Sequence, residues 1–406
     1  MFQIPLNSLI VMVGPSGAGK STFVNQYFKS HEIVSTDNIR EELTGDLRNQ
    51  HMNPLVFGEF YRRIETKIQL GERVVADASH LHKKDRIKTA QIGIKYHVPV
   101  FYIVVNRPLE EKIATAGWRL RAPGLIQRYE ERFKSQEREI CSGDNIATVI
   151  DTRLNPEIKI IEKFNFDNLS SDLRHRGYKE IEIIGDVHGM IADFEAVVNG
   201  ALEHDRMIIQ LGDIVDYGPD SVSCIELTHK LVMCGKAIFI IGNHERKFEK
   251  YIQQRRSGNI RLQVKGGIVA TVKQFDGLGD ARRELIENKF LALMNYARHH
   301  VIIDNYIFVH AGTTESMWSN YQNRLTGFEE NRAVFGEVSG FREDGFPNRI
   351  YNWVDEIPEG KTAFVGHDIR SMENPLVHEG NKGGKAIFVD TGSGKDGKLS
   401  SIVKKI

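Results

Sequence analysis

The chain has 406 residues, 41% hydrophobic and 27% charged, and its 54 basic and 54 acidic side chains cancel. That length exceeds what one core usually organises, so two domains are expected, and the composition excludes collagen-like and low-complexity classes. Zero formal charge argues against bulk electrostatic adhesion to nucleic acid and leaves local basic patches as the electrostatic route to a polyanion. Cys141, Cys224 and Cys234 are too scattered for a disulfide framework or a thiolate metal site, and are read as buried free thiols. Met1 to Asn7 carry no basic segment leading into an apolar core, and no apolar stretch reaches spanning length. A cytoplasmic protein without a membrane partner is expected.

The run Ser8 to Val13 reads as a short buried strand leading directly into Gly14-Pro15-Ser16-Gly17-Ala18-Gly19-Lys20-Ser21-Thr22 and then a helical stretch. This is the P-loop pattern in its strand-to-helix context. Gly14, Gly17 and Gly19 let backbone N–H groups close around nucleotide phosphates, Lys20 reaches the outer phosphates, and Ser21 holds Mg²⁺. Thr22 joins the nucleotide-binding set. ATP with Mg²⁺ is the expected cofactor.

The next strand, Glu32 to Ser35, ends in Thr36-Asp37, with Arg40 on the first turn of the following helix. A carboxylate beside the γ-phosphate can accept the proton of an attacking hydroxyl, and an arginine on the same helical face can hold an acceptor phosphate. An ordinary helix cap with a solvated arginine is the plain alternative. Arg73 to Ala76 is another strand, ending at Asp77, which is positioned to support the metal or brace Arg40. After a third strand, Val98 to Val105, the segment Gly117-Trp118-Arg119-Leu120-Arg121-Ala122-Pro123 reads as a lid whose arginines neutralise a transferring phosphoryl group. Ile126 to Glu139 reads as a charged helix. Asp151 to Tyr178 reads as linker or edge strand, placing the domains at 1–166 and 167–406.

The second half repeats one device. Apolar runs end in Gly185-Asp186-Val187-His188, in Gly212-Asp213, in Gly242-Asn243-His244-Glu245, in His310, in Gly366-His367 and in Asp390. One histidine at a strand end is ordinarily a packed core residue. The repetition instead collects carboxylates, imidazoles and an amide at one sheet edge, where open α/β sheets bind ligands. Oxygen and imidazole donors without thiolate suit Mn²⁺ and, less selectively, other divalent transition ions. Asp186, His188 and Asp213 are expected to hold one ion, and Asp213, Asn243, His310 and His367 a second, at about 3.5–4 Å spacing. His244 is left free to protonate the leaving alkoxide, oriented by Asp216. Tyr217 and Asp390 are candidates for substrate contact. Tyr251 to His300 reads as a helical cap, whose Arg255-Arg256 and Arg282-Arg283 either meet a polyanion or solvate a helix face.

On these motifs the first half resembles the 5′-hydroxyl polynucleotide kinases of phage and bacterial nucleic-acid repair. That resemblance implies Asp37 as general base, Arg40 as acceptor-phosphate contact, Asp77 as its support and Arg119 or Arg121 on the donor phosphates. His80 departs from the asparagine often found there. The second half resembles binuclear metallophosphoesterases of the phosphoprotein-phosphatase type. Segments around Phe335-Gly336-Glu337, Gly345 to Arg349, Tyr351-Asn352-Trp353 and Asp390-Thr391-Gly392 are similar to the phosphatase module of bacterial RNA end-healing kinase-phosphatases. Tyr217 stands where that family carries an arginine that grips a phosphate oxygen. The implied fold class is α/β, a parallel-sheet P-loop kinase followed by a calcineurin-like α/β sandwich. The implied function is phosphorylation of 5′-hydroxyl ends and removal of 3′-phosphate, or of a cyclic phosphate, from RNA or DNA. A separate ATP-dependent RNA ligase and a homodimer are implied as partners. A small-molecule kinase fused to a dinucleoside polyphosphate or protein phosphatase is the enzymatic alternative, and a nucleotide-regulated RNA-binding module with degenerate sites is the non-enzymatic one.

Overall fold

Strands that are apolar on both faces need cover on both sides. In the computed structural model, which describes residues 1–47, 49–115, 124–320, 324–343 and 347–406, the chain divides into Met1–Glu162 and Lys163–Ile406.

The first unit carries a five-stranded sheet in the order Ile33–Ser35, Val74–Asp77, Leu9–Val13, Val100–Val104, Thr148–Asp151, with every neighbouring pair parallel. Leu9–Val13 is buried throughout. Alternate residues feed different cores. Leu9, Val11 and Val13 meet Val56, Phe60 and Ile64 of the helix Asn53–Gln69, while Ile10 and Met12 meet Val24 and Phe28. Ile158–Ile160, within the stretch read as linker or edge strand, pairs in parallel with Phe2–Ile4.

The second unit is a sandwich. One sheet runs Ala237–Phe239, Met207–Gln210, Glu180–Ile184, Ser401–Lys405, the last strand antiparallel to its neighbour. The other runs His300–Ile303, Tyr306–Val309, Thr362–Val365, Lys385–Phe388, Leu376–Glu379. Between them lie Ile181, Ile183, Met207, Ile209, Ile238, Ile303, Phe308 and Phe364, all buried. The far face of the second sheet is closed by Trp353, Val354 and Met317. The expected helical cap is three helices, Asn243–Arg256, Ile268–Asp276 and Asp280–Tyr296. Its arginines are engaged internally: Arg255 and Arg256 with Glu287, Arg282 with Glu226, and Arg283 with the carbonyls of Phe275 and Leu278.

One expectation about the thiols needs correcting. Cys224 is buried, but Cys234 is half-buried and Cys141 is exposed, because it falls at the solvated end of the charged helix Leu125–Cys141. Among the described residues, no helix is long and apolar enough to cross a membrane.

Candidate phosphoryl-transfer and phosphoesterase sites

In the first unit, Leu9–Val13 ends where the P-loop begins, and the loop feeds the helix Lys20–Tyr27. Gly19 sits at the helix N-cap with φ 95°, a conformation that favours glycine and turns successive N–H groups inward. Gly14 is needed for a different reason: a Cβ there would lie 2.1 Å from the carbonyl oxygen of Val105. Lys20 Nζ donates to the carbonyls of Gly14 and Pro15 at 2.9 and 3.0 Å, folded over the loop it serves.

A cleft of about 520 Å³ opens here, lined by Lys20, Ser21, Asp37, Arg40, Asp77 and Arg107 among others. Arg40 is nearly buried and donates to Asp37 at 2.7 Å and to Asn53 Oδ1 at 3.0 Å. Among the described residues its Nε is buried without a partner, while Asp37 remains about half exposed. Asp77 does not brace Arg40 as the resemblance implies. It accepts from Ser21 Oγ at 3.2 Å, since its strand ends beside the P-loop, whereas Arg40 shares a helix with Asp37, Thr36–Thr44. Burial raises the Asp77 pKa, with Lys20 and Ser21 opposing. Arg119 and Arg121 lie outside the described residues. Arg107, which the motif reading passed over, donates to the carbonyl of Gly17 at 2.8 Å and so lies on the P-loop itself.

His80 takes a structural place. It is buried at φ 45°, its Nδ1 meets Met12 O at 2.8 Å and its Nε2 meets Thr89 Oγ1 at 3.1 Å. Burial lowers its pKa to about 4. Below it, Arg86 and Asp144 form a fully buried ion pair at 2.7 Å that motif reading could not find, because the partners are far apart in sequence.

In the second unit the strand ends curl. Asp213, Asp216, Tyr217, His188 and His367 all adopt positive φ, which for non-glycine residues marks backbone strain concentrated at a site. The turns pack too closely for side chains: a Cβ on Gly242 would lie 2.1 Å from Asp213 Oδ1, and one on Gly366 2.2 Å from Asp186 Oδ1.

One donor group comprises Asp213 Oδ1, Asn243 Oδ1, His310 Nε2 and His367 Nδ1. His310 Nε2 stands 3.4 Å from Asp213, 3.1 Å from Asn243 and 3.1 Å from His367, and His367 Nδ1 stands 2.8 Å from Asn243. The other comprises His188 Nε2 with Asp186 Oδ2 at 3.8 Å and Asp213 Oδ2 at 3.9 Å. Asp213 bridges both. The residues fit divalent cations on their own chemistry. His188 Nδ1 bonds to Val215 O and His310 Nδ1 to Leu211 O, which orients the other ring nitrogen of each toward the donors. Among the described residues, His188 Nε2 is buried without a hydrogen-bond partner.

His244 stands apart from the ligands by its hydrogen bond. Its Nδ1 is 2.5 Å from Asp216 Oδ2, and its Nε2 faces Asp213 Oδ2 at 3.8 Å. That places it within ligand range of His188 and Asp213. Burial opposes its charge, but Asp213 and Asp216 outweigh burial and raise its pKa, favouring the protonated ring. Asp216 is itself fixed by Thr271 Oγ1 at 2.6 Å, from the cap.

The charges are strongly split. Burial, then Asp390 and Asp213, raise Asp186 well above the carboxylate range; Asp213, despite burial, is held well below it by His310 and His244. Burial opposes protonation of His310, but Asp213 outweighs it and raises the pKa to about 9. Burial lowers His188 to about 3 and, with His310, pushes His367 well down. Glu245, also missed from sequence, is fully buried and accepts from the backbone N–H groups of Asp213, Ile214 and Gly242 at 2.7, 2.9 and 3.0 Å. It ties two strand ends together. Its position three residues after Gly242, as in a capping box, was the available signal.

Residues 9–137 match the model of the AAA domain family, and residues 181–379 match that of the calcineurin-like phosphoesterases. The chain is 30% identical over 237 residues to the bis(5′-nucleosyl)-tetraphosphatase PrpE (asymmetrical) of Oceanobacillus iheyensis, covering 55% of this chain and 87% of that protein. A solved metallophosphoesterase from Sphaerobacter thermophilus aligns at 18% identity and a TM-score of 0.33, covering 56% of this chain and 84% of that one. A chain of the Pnkp1/Rnl/Hen1 RNA repair complex aligns at 14% identity and a TM-score of 0.28, covering 51% and 71%. By its relationship to the tetraphosphatase and its donor geometry, the chain belongs to the calcineurin-like phosphoesterases, with an AAA-type P-loop domain ahead of the phosphoesterase domain.

Proposed function

We propose that this chain heals nucleic-acid ends, phosphorylating a 5′-hydroxyl in its first unit and removing a 3′-phosphate in its second. The observation that carries the reading is the pairing of Asp37 and Arg40 in the P-loop cleft, in the same chain as two clusters of metal-type donors that share Asp213. Asp37 is exposed enough to take the proton of an acceptor hydroxyl, and Arg40, held by Asp37 and Asn53, lines the same cleft as the candidate contact for an acceptor phosphate. With nucleotide bound, Lys20 would leave the loop carbonyls for the donor phosphates, and Ser21 and Asp77 would hold Mg²⁺.

In the second unit Asp186, His188 and Asp213 would hold one divalent ion, and Asp213, Asn243, His310 and His367 the other, with Mn²⁺ suited to the donors. When bound, such ions supply Lewis-acid stabilisation of the phosphate and of the attacking water. His244 delivers its Nε2 proton to the leaving ribose oxygen, and Asp216 stabilises the charged ring. Ribonuclease-type cleavage leaves a 5′-hydroxyl and a 3′-phosphate, neither of which an ATP-dependent ligase seals. A separate RNA ligase would act on the healed ends.

The test is one RNA oligonucleotide with a 5′-hydroxyl and a 3′-phosphate, incubated with ATP, Mg²⁺ and Mn²⁺ and read at both ends by mass. Gain of the 5′-phosphate and loss of the 3′-phosphate are expected, with Lys20→Ala and Asp186→Ala each losing only its own step. An oligonucleotide unchanged at both ends sinks the reading. The similarity of the second unit to the tetraphosphatase of Oceanobacillus iheyensis favours a second reading, cleavage of dinucleoside polyphosphates. Turnover of diadenosine tetraphosphate far exceeding that of the 3′-phosphate would select it.

A further inference from the structure

A phosphate entering the second unit meets several carboxylates, and beyond any metal ion it needs a cation aimed at its outer oxygens. The loop after Asp390 supplies one. Ser393 Oγ donates to Val187 O at 2.9 Å, and Lys395 N donates to Gly392 O at 2.9 Å, so the loop is pinned against the turn that carries Asp186 and His188. Gly394, at φ 70°, lies so close that a Cβ there would be 2.9 Å from His188 Cβ. Lys395 Nζ then lies over the Tyr217 ring, 4.6 Å from its centroid, and that ring packs edge-on against His188 at 4.9 Å and tilted against His244 at 5.4 Å. Among the described residues no carboxylate stands within salt-bridge distance of this ammonium, and its positive field reaches Asp186, His188, His244 and Asp390. Arg349, the neighbouring guanidinium, is already committed to Asp368 and to the carbonyl of His367.

We propose that Lys395, steadied on the face of Tyr217, holds a non-bridging oxygen of the substrate phosphate and makes the site prefer a terminal phosphate to a diester. A terminal phosphate carries nearly two negative charges near neutral pH and a diester one, so a single ammonium attracts the former about twice as strongly. Tyr217 supplies the flat, electron-rich face that keeps the flexible lysine over the pocket. The inference rests on the phosphoesterase activity and deepens the end-healing reading, since a 3′-phosphate is a terminal phosphate.

The test uses the full chain loaded with Mn²⁺, as wild type, Lys395→Ala, Lys395→Met and Lys395→Arg. Turnover of 4-nitrophenyl phosphate and of bis(4-nitrophenyl) phosphate gives the monoester-to-diester ratio of kcat/KM, and calorimetric titration with inorganic phosphate gives binding without turnover. Lys395→Ala and Lys395→Met are expected to lower the ratio and weaken phosphate binding by about tenfold or more, the loss of one charge-assisted hydrogen bond, chiefly through KM. Lys395→Arg is expected to recover most of both, with bound manganese unchanged throughout. Equal loss on monoester and diester, or phosphate binding within about twofold of wild type, overturns the proposal. A wild type that cleaves the small monoester but not a 3′-phosphorylated RNA would sink the end-healing reading and leave this test standing.

Discussion

Replacing Asp216 with asparagine isolates the proton-delivery role of His244. The carboxylate lies 2.5 Å from His244 Nδ1 and is fully buried, and asparagine keeps its shape and its contact with Thr271 while deleting the charge. A hydrogen bond to a charged partner contributes about 1.5–3 kcal/mol, which is about 10- to 100-fold in rate where that charge matters in the transition state. It matters for a ribose alkoxide, which cannot leave without a proton, and little for 4-nitrophenolate, which can. Asp216→Asn should therefore lower kcat on a 3′-phosphorylated oligonucleotide by about 10- to 100-fold and on 4-nitrophenyl phosphate by less than about threefold. The pH profile carries a second signature. Asp213 and Asp216 raise the His244 pKa against burial, and activity that needs the protonated ring falls above that pKa. Removing one of those charges moves the alkaline limb to lower pH. Equal losses on both substrates, or an unmoved limb, would refute the assignment of His244 as general acid.

Three further outcomes follow from buried charge. His80, held to about 4 by burial from a usual value of 6.5, contributes stability that is present above pH 6.5 and lost as pH falls toward 4, about 3 kcal/mol in all. Amide exchange in Leu9–Val13 should accelerate over that window in the wild type and less in His80→Asn; identical profiles would contradict the reasoning. Asp144→Asn leaves the buried Arg86 guanidinium without its counter-charge and should destabilise the first unit by about 3–5 kcal/mol in denaturant melts, with 4-nitrophenyl phosphate turnover unchanged at low denaturant. His310, raised to about 9 chiefly by Asp213 against burial, is protonated near neutrality and must lose that proton to ligate. Manganese affinity should thus weaken as pH falls below 9, by about tenfold per unit, with about one proton released per protein from this residue; calorimetry showing flat affinity from pH 6 to 9 would exclude it.

Local residue types were enough to place the P-loop, the metal-type donors and the His244–Asp216 pair, because each is a strand end followed by a turn, and β periodicity, glycine and ligand type are written within a few residues. Asp186, His188, Asp213, Asn243, His310 and His367 were legible for that reason, and a parallel sheet brings such ends to one edge. What the tertiary structure decided depends on residues distant in sequence. Asp77 meets Ser21 rather than Arg40 because two strands happen to be neighbours. Thr271 reaches Asp216 from a helix that composition alone reads only as a cap. Glu245 ties the Asp213 and Gly242 turns, Arg86 finds Asp144, and Lys395 settles on Tyr217, each through a contact whose partners no periodicity relates. Sequence by itself determined which donor types stand at the strand ends; packing decided which charges are buried and which are paired.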